Sequence, residues 1–408
     1  MKRNILQFGL MSICAMAAVS GCKNAPKDPD SDNAMKWNAE QRATIESIRP
    51  VEGSDGHLFE IDYTADYKLA ECVAENCANT TATLVALYKN LLPESRMLLG
   101  TVRTDGVACS TFSAPSSDGG FVLGRNYDFP VGGNYYMVVH TNPAKGYKSV
   151  GVADMSVLLA NPDPADPFST VRNKEIALFS PYCILDGINE KGFMCSFMEL
   201  EYESVKQDRG KTKLVTNWTL RLMLDNCATV AEAIELMDQY DMQSVFMDRD
   251  ADLHFILADA QGDRAVIEYV ENEMKVLRTP DLIGEAGEFV LSTNFYLTPG
   301  RRVDRETGLW KLKELGYWRF DTLLARLREN PNPSREESME NMRSVRIQFN
   351  DEDEKENIRR VGKNPEELDS WVWMTLWSAV YSTQDLSLDL CIRENYDQKF
   401  HFGLGMEK

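Results

Sequence analysis

The chain has 408 residues, of which 43% are hydrophobic and 10% aromatic, and its formal net charge is −19. This composition supports a globular core and argues against a disordered chain. The acidic balance argues against nucleic acid or an anionic membrane surface as a partner, because either would require a basic patch.

The chain begins with a segment that predicts export. Residues 1–21 join a basic start to an apolar run and a small-residue ending, which is typical of a signal peptide rather than a membrane span. The ending "AVSGC" resembles a bacterial lipobox, which implies cleavage before Cys22 and lipid attachment there. The alternative is an ordinary signal peptide with an incidental cysteine. Residues 22–36 are polar and predict a flexible tether. We therefore expect an exported protein that is lipid-anchored on the periplasmic or surface side of the cell envelope, with no other membrane contact.

The next elements are a strand, a helix and two hairpins. "HLFEIDYTADY" (57–67) alternates apolar and polar residues, which predicts a strand, and "TATLVALYKNLL" (81–92) predicts a helix. Residues 110–129 predict a hairpin that turns at "SSDGG". Residues 176–200 predict a second hairpin that turns at "DGINEKG".

Helices and a further group of strands follow. Residues 216–227 and 229–240 predict helices, and residues 253–277 predict three strands. The charge run "NDEDEKEN" (350–357) predicts an exposed loop. Hairpins grouped together, with helices in blocks, favour an α+β fold with antiparallel sheet over alternating βαβ units.

The nine cysteines fall into different classes. Cys14 leaves with the signal peptide and Cys22 is the predicted lipid site, so seven remain. Cys72 and Cys77 are close enough in sequence for a small-loop disulfide, which stays open because the redox state of the compartment is unknown. Four others lie in apolar runs and predict core thiols. Cys109 differs, because its neighbours are small and polar.

A cysteine nucleophile needs a base, because a free thiol has a pKa of about 8.5. Histidine is the usual base, and the chain has His57, His140, His254 and His401. None of them lies in an obvious catalytic loop, and the last two lie in apolar strand-like runs. A papain-like cysteine–histidine pair is therefore a weakly supported alternative.

A cut immediately before Cys109 would supply another base. An α-amino group titrates at about 7.7–8.0, and at a new N-terminus it lies beside the thiol of its own residue. Such a site needs an acidic residue to orient the amine and a cation near the thiolate. Asp128 and Arg125 supply these residue types, and a hairpin would return the second strand beside the first.

The motifs of this region resemble a known family. "CSTFSA" followed by "DGGFVLGRNYDF" is similar to the cysteine N-terminal-nucleophile hydrolases of the choloylglycine hydrolase group, with sixteen residues from Cys109 to Arg125 and nineteen to Asp128. "DGINEKG", "VLSTNF" and "YWRFDTLLARL" resemble further family segments in the same order. The resemblance covers roughly residues 109–400. It implies a four-layer αββα sandwich with two antiparallel sheets.

The resemblance also implies roles for individual residues. Cys109 would attack an amide carbonyl, and its own α-amine would move the protons. Asn294 would line the oxyanion hole, together with backbone N–H groups. Asp128 would orient the α-amine, while Arg125 and Arg319 would stabilise charge at the thiolate and fix the loop geometry. The reaction implied in this way requires neither a metal nor an organic cofactor.

Two features depart from the bile salt hydrolases of this group. Glu199 stands where those enzymes have an asparagine of the oxyanion hole, and a carboxylate there would repel an oxyanion. Either the local alignment slips, or a backbone group takes over that role. The second departure is the 87-residue step from Cys22 to Cys109. That layout resembles the branch of acid ceramidase, N-acylethanolamine acid amidase and isopenicillin N acyltransferase, whose members cut themselves before the cysteine.

We therefore predict autoproteolysis between Ala108 and Cys109. Residues 37–108 would form a structured first subunit that stays associated, and residues 109–408 would form the catalytic domain. The expected activity is hydrolysis of a linear amide with a hydrophobic acyl group, in the order N-acyl lipid amide, conjugated bile salt and penicillin V-like amide. The alternatives are an acyltransferase that uses an amine instead of water, and a non-catalytic surface lipoprotein. The sequence leaves a homo-oligomer open.

Overall fold

The structure is a computed structural model that describes residues 37–92, 108–130, 134–156, 158–200, 204–245, 252–284, 287–299, 314–347 and 373–405. The predicted signal peptide, Cys22, the tether and the charge run 350–357 lie outside these residues. In chain order the strands are β1 Arg49–Pro50, β2 Leu58–Tyr63, β3 Ala108–Pro115, β4 Phe121–Pro130, β5 Tyr136–Thr141, β6 Ser149–Asp154, β7 Ile184–Asn189, β8 Met194–Leu200, β9 Lys213–Val215, β10 Asp241–Gln243, β11 Asp252–Ala258, β12 Arg264–Val270, β13 Glu273–Leu277, β14 Val290–Ser292, β15 Trp373–Ser382, β16 Ser387–Ile392 and β17 Phe400–Phe402. The helices are α1 Ala39–Glu46, α2 Leu69–Ala74, α3 Thr80–Leu91, α4 Val171–Ala177, α5 Thr216–Asn226, α6 Val230–Asp238, α7 Thr279–Ile283, α8 Glu314–Glu329 and α9 Arg335–Ser344.

Two large sheets form the centre of the fold. Within the described residues, one has nine strands in the order β1-β2-β5-β6-β7-β8-β11-β12-β13, and the other has six in the order β14-β3-β4-β15-β16-β17. We call them the large sheet and the small sheet. Strands β3, β11, β12 and β14 bring the two sheets into contact face to face.

Side-chain direction shows that helices cover the outer face of each sheet. Successive residues of a strand point to opposite faces. On β7, Asp186 points to the small sheet and contacts Arg125, whereas Asn189 points outward and donates to Leu224 O on α5. On β4, Asn126 points outward and donates to Met342 O on α9. The layers therefore follow the order helix, sheet, sheet, helix, which confirms the predicted α+β class and αββα sandwich.

Two local predictions need correction. The apolar run "IALFSPY" begins the second predicted hairpin, but it continues α4 and then forms a short 3-10 helix, Ser180–Tyr182, so that β7 starts only at Ile184. A short apolar run does not distinguish a strand from a buried helix by periodicity alone. The large sheet is also not wholly antiparallel, because β2 and β5 pair in parallel. The chain between them crosses to the small sheet and back, and such a crossover permits parallel pairing.

The strand β2 belongs to the segment that would become the first subunit. It pairs with β5 over six residues, from Leu58 opposite Tyr136 to Tyr63 opposite Thr141. Four of its six side chains are buried. This segment is therefore an integral part of the large sheet. Among the described residues, no helix is long and apolar enough to cross a membrane.

A charged contact joins this segment to the rest of the chain. Glu60 accepts from His140 Nε2 at 3.1 Å and lies 3.1 Å from Arg49 Nη2. The hydrogen bond from His140 and the charge of Arg49 lower the pKa of Glu60, although its partial burial opposes this. A lowered carboxyl pKa stabilises the fold above the usual glutamate pKa of about 4.3, and this contribution is lost as the pH falls through the lowered value.

Glu60→Gln is therefore expected to cost stability in a pH-dependent way. At pH 7 the free energy of unfolding should fall by about 1 kcal/mol, because a hydrogen bond to a charged group is lost. As the pH falls through the lowered pKa of Glu60, the variant and its parent should converge. Urea denaturation of both in a Cys109→Ala background, which removes the predicted self-cleavage, measures this difference. Glu52→Gln, at an exposed position, is the matched control. A deficit that keeps the same size as the pH falls would contradict the expectation.

Candidate active site

Cys109 lies at the start of β3, opposite Tyr127 of β4. Its side chain is fully buried between the two sheets. Arg125 projects from the same face of β4, and its Nη2 donates to the Cys109 Sγ at 3.4 Å. The hairpin predicted from the sequence thus places the thiol beside a guanidinium, because the antiparallel register returns Arg125 opposite Thr111, two residues from the cysteine.

The large sheet holds Arg125 in place. Its Nε donates to Ser196 Oγ at 2.8 Å and lies 3.1 Å from Asp186 Oδ2, while its Nη2 also donates to Phe197 O at 3.2 Å. Asp186 is the first residue of the "DGINEKG" segment, and it also accepts from Trp377 Nε1. The sequence indicated no role for Asp186 or Ser196. Asp186 could have been found only through the "DGINEKG" motif, and no sequence motif points to Ser196.

Gly124 precedes the arginine for a steric reason. A Cβ at this position would lie 2.6 Å from Phe112 Cε1 and 2.7 Å from Met342 Sδ. Interiors are packed too densely to absorb such an overlap without displacing a neighbour. The glycine of "GRNYD" therefore lets α9 pack closely on β4, and this packing fixes the strand that carries Arg125.

A buried ion pair lies on the other face of the small sheet. Arg319 of α8 is 1% exposed, and its Nη1 donates to Asp128 Oδ2 at 2.9 Å. The same nitrogen donates to the carbonyl oxygen of Cys109 at 2.7 Å and to Ser110 Oγ at 2.9 Å. Asp128 also accepts from Thr375 on β15. Arg319 thus contacts the backbone of the cysteine, whereas Arg125 contacts its sulfur.

Asn294 follows β14 and reaches the backbone of Cys109. Its Oδ1 accepts from the Cys109 N–H at 2.7 Å and from Arg319 Nη2 at 2.9 Å. Its Nδ2 donates to Glu199 O at 2.8 Å. Ala108 and Cys109 lie in one continuous strand, so this is the geometry of the uncut chain.

Glu199 lies within the site, on β8, and is 1% exposed. Burial raises the pKa of the Cys109 thiol to about 11; Arg125 and Arg319 oppose this rise, and the negative charges of Asp128 and Glu199 add to it. The thiol of the uncut chain is therefore neutral at pH 7. The backbone carbonyl of Glu199 accepts a hydrogen bond from Asn294, and as an acceptor it cannot supply the oxyanion donor considered for this position.

The structure brings together Cys109, Arg125, Asp128, Glu199, Asn294 and Arg319, which the sequence spreads over more than 200 positions. Their contacts differ from expectation in two respects. Asn294, and not Asp128, receives the Cys109 N–H. The Asn294 Nδ2 group, the expected oxyanion donor, donates instead to the backbone carbonyl of Glu199 in the uncut chain.

The structure also bears on the cysteine–histidine pair and on the Cys72–Cys77 disulfide. The hydrogen bonds of the four histidines go to Asn134, Glu60, Leu404, Glu268, Ser292 and Asp389. Within the described part of the chain, then, no histidine is hydrogen-bonded to the Cys109 thiol, and the papain-like alternative gains no support. Cys72 and Cys77 are both free thiols.

The fold and the site define a class: an αββα sandwich with a buried cysteine at the start of a central strand. Residues 109–297 match the sequence profile of the linear amide C–N hydrolases, choloylglycine hydrolase family. The match over these residues confirms the resemblance given by the motifs.

Individual relatives are more distant. The chain is 34% identical to a penicillin V acylase of Pectobacterium atrosepticum over 99 residues, which are 22% of this chain and 26% of the acylase. The match thus spans about a quarter of that relative. A variant of the conjugated bile acid hydrolase of Clostridium perfringens shares 14% identity over 72% of this chain and 92% of its own, with a TM-score of 0.47. For the penicillin V acylase of Agrobacterium tumefaciens the identity is 16%, the coverage 70% and 83%, and the TM-score 0.39. The layers described above, rather than these low scores, define the fold.

Proposed function

We propose that this protein is a linear-amide hydrolase that activates itself by cutting its chain between Ala108 and Cys109. One observation carries the proposal. The thiol of Cys109 lies beside Arg125, while the backbone N–H of the same residue is held by Asn294 at 2.7 Å. In the uncut chain the proposed nucleophile therefore lies beside a cation, and its own backbone nitrogen would become the amine. A single broken peptide bond would turn that nitrogen into a base.

The activating step is an acyl shift from nitrogen to sulfur. The Cys109 sulfur attacks the carbonyl carbon of Ala108, the bond from that carbon to the Cys109 nitrogen breaks, and the thiol proton ends on the nitrogen. Water then hydrolyses the thioester, which leaves a carboxylate on Ala108 and a free thiol and α-amine on Cys109. Arg125 would favour the thiolate that attacks, against the burial that raises the pKa of this thiol.

Turnover uses the same atoms. The α-amine takes the thiol proton, sulfur attacks the substrate carbonyl, and the proton passes to the leaving amine. Water again releases the acyl group as an acid. Asn294 Oδ1 is suited to orient the amine, because it already accepts from that nitrogen. For Asn294 to serve as an oxyanion donor as well, its Nδ2 must give up the hydrogen bond to the Glu199 carbonyl and donate to the substrate oxygen instead. Such a donor typically contributes about 2.7–4 kcal/mol.

Arg125 offers a further donor at the site. Its Nη1 is buried and has no acceptor within the residues that the structure describes. A buried donor without a partner is costly, so a group that enters beside the thiol would gain this bond. The carbonyl oxygen of a scissile amide has the required acceptor chemistry.

The proposed substrate is an amide with a hydrophobic acyl group. N-acyl lipid amides remain the first candidate and conjugated bile salts the second. The sequence match to a penicillin V acylase supports testing penicillin V-like amides beside them. The proposed chemistry uses side chains, the α-amine and water, with no cofactor.

N-terminal sequencing and intact-mass measurement of residues 23–408, followed by amide assays, test the proposal. We expect a fragment that begins at Cys109, and release of the free acid from at least one of the three amide classes. Added amines separate hydrolysis from acyl transfer, because a transferase would form a new amide. An uncut chain that releases no acid from any of them would overturn the proposal.

We further propose that the protein is exported and held at the cell envelope by lipid on Cys22. The support is the sequence of residues 1–22, with its basic start, apolar run and lipobox-like ending. The amide substrate would then be met outside the cytoplasm.

A further inference from the structure

A buried Ser–His–Glu cluster lies next to the proposed site and has no part in the chemistry above. His254 of β11 contacts Glu268 of β12 through Nδ1 at 3.2 Å, and Ser292 of β14 through Nε2 at 3.1 Å. All three side chains are fully buried. Burying ionisable groups is costly unless their hydrogen bonds are satisfied. The hydrogen-bond partners of these three side chains therefore indicate the role of the cluster.

The carboxylate of Glu268 satisfies its remaining capacity on one short segment. It accepts from Leu297 N at 2.7 Å, Thr298 N at 2.9 Å and Thr298 Oγ1 at 2.6 Å. These bonds and His254 lower the pKa of Glu268 despite its burial, which itself acts in the opposite direction. Glu268 is thus a carboxylate at neutral pH, with acceptors aimed at the backbone of residues 297 and 298.

The two ends of one segment are therefore held by one pair of side chains. Ser292, at the end of β14, is bonded to His254, and residues 297 and 298 are bonded to Glu268. Between these points the chain has left the sheet, because β14 ends at Ser292. Asn294 lies in this interval, with its Oδ1 2.7 Å from the Cys109 nitrogen.

We propose that His254 and Glu268 are positioning residues: by clamping both ends of residues 292–298, they hold Asn294 Oδ1 against the backbone nitrogen of Cys109. The consequence for catalysis rests on the function proposed above; the clamp itself does not. Displacement of a reacting group by about 1 Å can cost about 10²-fold in rate, so a clamp on Asn294 would act on both self-cleavage and turnover.

Glu268→Gln tests the clamp. The amide has one oxygen acceptor where the carboxylate has two, so part of the set formed by His254, Leu297 and Thr298 must be lost. We expect the rate at which the Cys109 N-terminus appears to fall by about 10²-fold, and kcat of the cut enzyme to fall with KM unchanged. Asp225→Asn is the matched control. Asp225 is also a buried acid in a hydrogen-bonded pair, with Arg221, but it lies in the helical layer outside the large sheet. The Asp225→Asn variant should have a lower melting temperature, but its folded fraction should cut itself at the wild-type rate.

A second readout does not depend on activity. In a Cys109→Ala background the residue-109 amide still faces Asn294, and its hydrogen exchange can be followed in the uncut chain. Adding Glu268→Gln should speed that exchange, and adding Asp225→Asn should not. If Glu268→Gln folds poorly, Ser292→Ala removes the hydroxyl that contacts His254 at the other end of the segment and should speed the same exchange to a smaller degree.

The outcomes separate the two proposals. The clamp is overturned if Glu268→Gln changes the exchange rate of the residue-109 amide and the cleavage rate no more than Asp225→Asn does. A wild-type protein that neither cuts itself nor hydrolyses amides would overturn the proposed function, and the exchange measurement would still decide whether His254 and Glu268 position Asn294.

Discussion

Cys109→Ala is expected to abolish self-cleavage and to lower amide hydrolysis by about 10³-fold or more, because it removes the nucleophile of both reactions. The reason is geometric as well as chemical. The Cys109 sulfur is the group that Arg125 Nη2 contacts, at 3.4 Å, and an alanine leaves that guanidinium facing a cavity. The measurement is the appearance of a new N-terminus at residue 109 over time, followed by acid release from the amide panel.

Cys195→Ala is the matched control for this variant. Cys195 is also fully buried, and it lies on β8 of the large sheet rather than in the small sheet. Both substitutions remove one sulfur from the interior, so their effects on stability should be similar, on the order of 1 kcal/mol. The control should still cut itself. Cleavage of Cys109→Ala at the wild-type rate would show that another protein, or another residue, makes the cut.

Arg319→Met is expected to have the second largest effect. It removes the donors to Cys109 O, Ser110, Asp128 and Asn294 in one step. It also leaves the Asp128 carboxyl, whose pKa burial already raises, without its cationic partner. Breaking a buried ion pair in this way costs about 3–5 kcal/mol. We therefore expect a large loss in the free energy of unfolding, and no self-cleavage even in the folded fraction.

A double variant separates the two effects of this change. Asp128→Asn added to Arg319→Met removes the isolated charge and should recover part of the lost stability, because both partners of the pair are then neutral. It should not recover cleavage, since the Cys109 carbonyl and Asn294 still lack their donor. Arg221→Met, which breaks the buried pair with Asp225 in another layer, should destabilise the fold comparably and leave cleavage intact. Restored cleavage in the double variant would mean that Arg319 acts through stability alone.

These predictions share one structural basis. The thiol and Arg125 lie between the two sheets, whereas Asp128 and Arg319 lie on the outer face of the small sheet. The backbone of Cys109 connects the two groups, because its carbonyl binds Arg319 and its N–H binds Asn294. A change on either face is therefore expected to alter the position of the same residue.

The family resemblance implied Glu199, Asn294 and Arg319, whereas the sequence pattern alone predicted the α+β class and the hairpin that carries Cys109 and Arg125. The pattern could do so because these depend on local patterns: alternation fixes a strand, a turn joins two strands, and the antiparallel register then brings residues sixteen positions apart together. Helices α5 and α6 followed from their own periodicity in the same way. The prediction of a strand for "IALFSPY" was wrong because a short apolar run fits a strand and a buried helix equally well.

Which groups touch could be seen only once the sheets and helices were packed together. Nothing local indicates that Asp186 pairs with Arg125, or that His254 and Glu268 hold the segment that bears Asn294, since each contact joins strands far apart in the chain. Nor could the sequence show that the Cys109 N–H meets Asn294 while Asp128 faces Arg319 across the sheet. Those partners depend on which face of a strand meets which layer, and that is settled by the packing of two sheets and their helices.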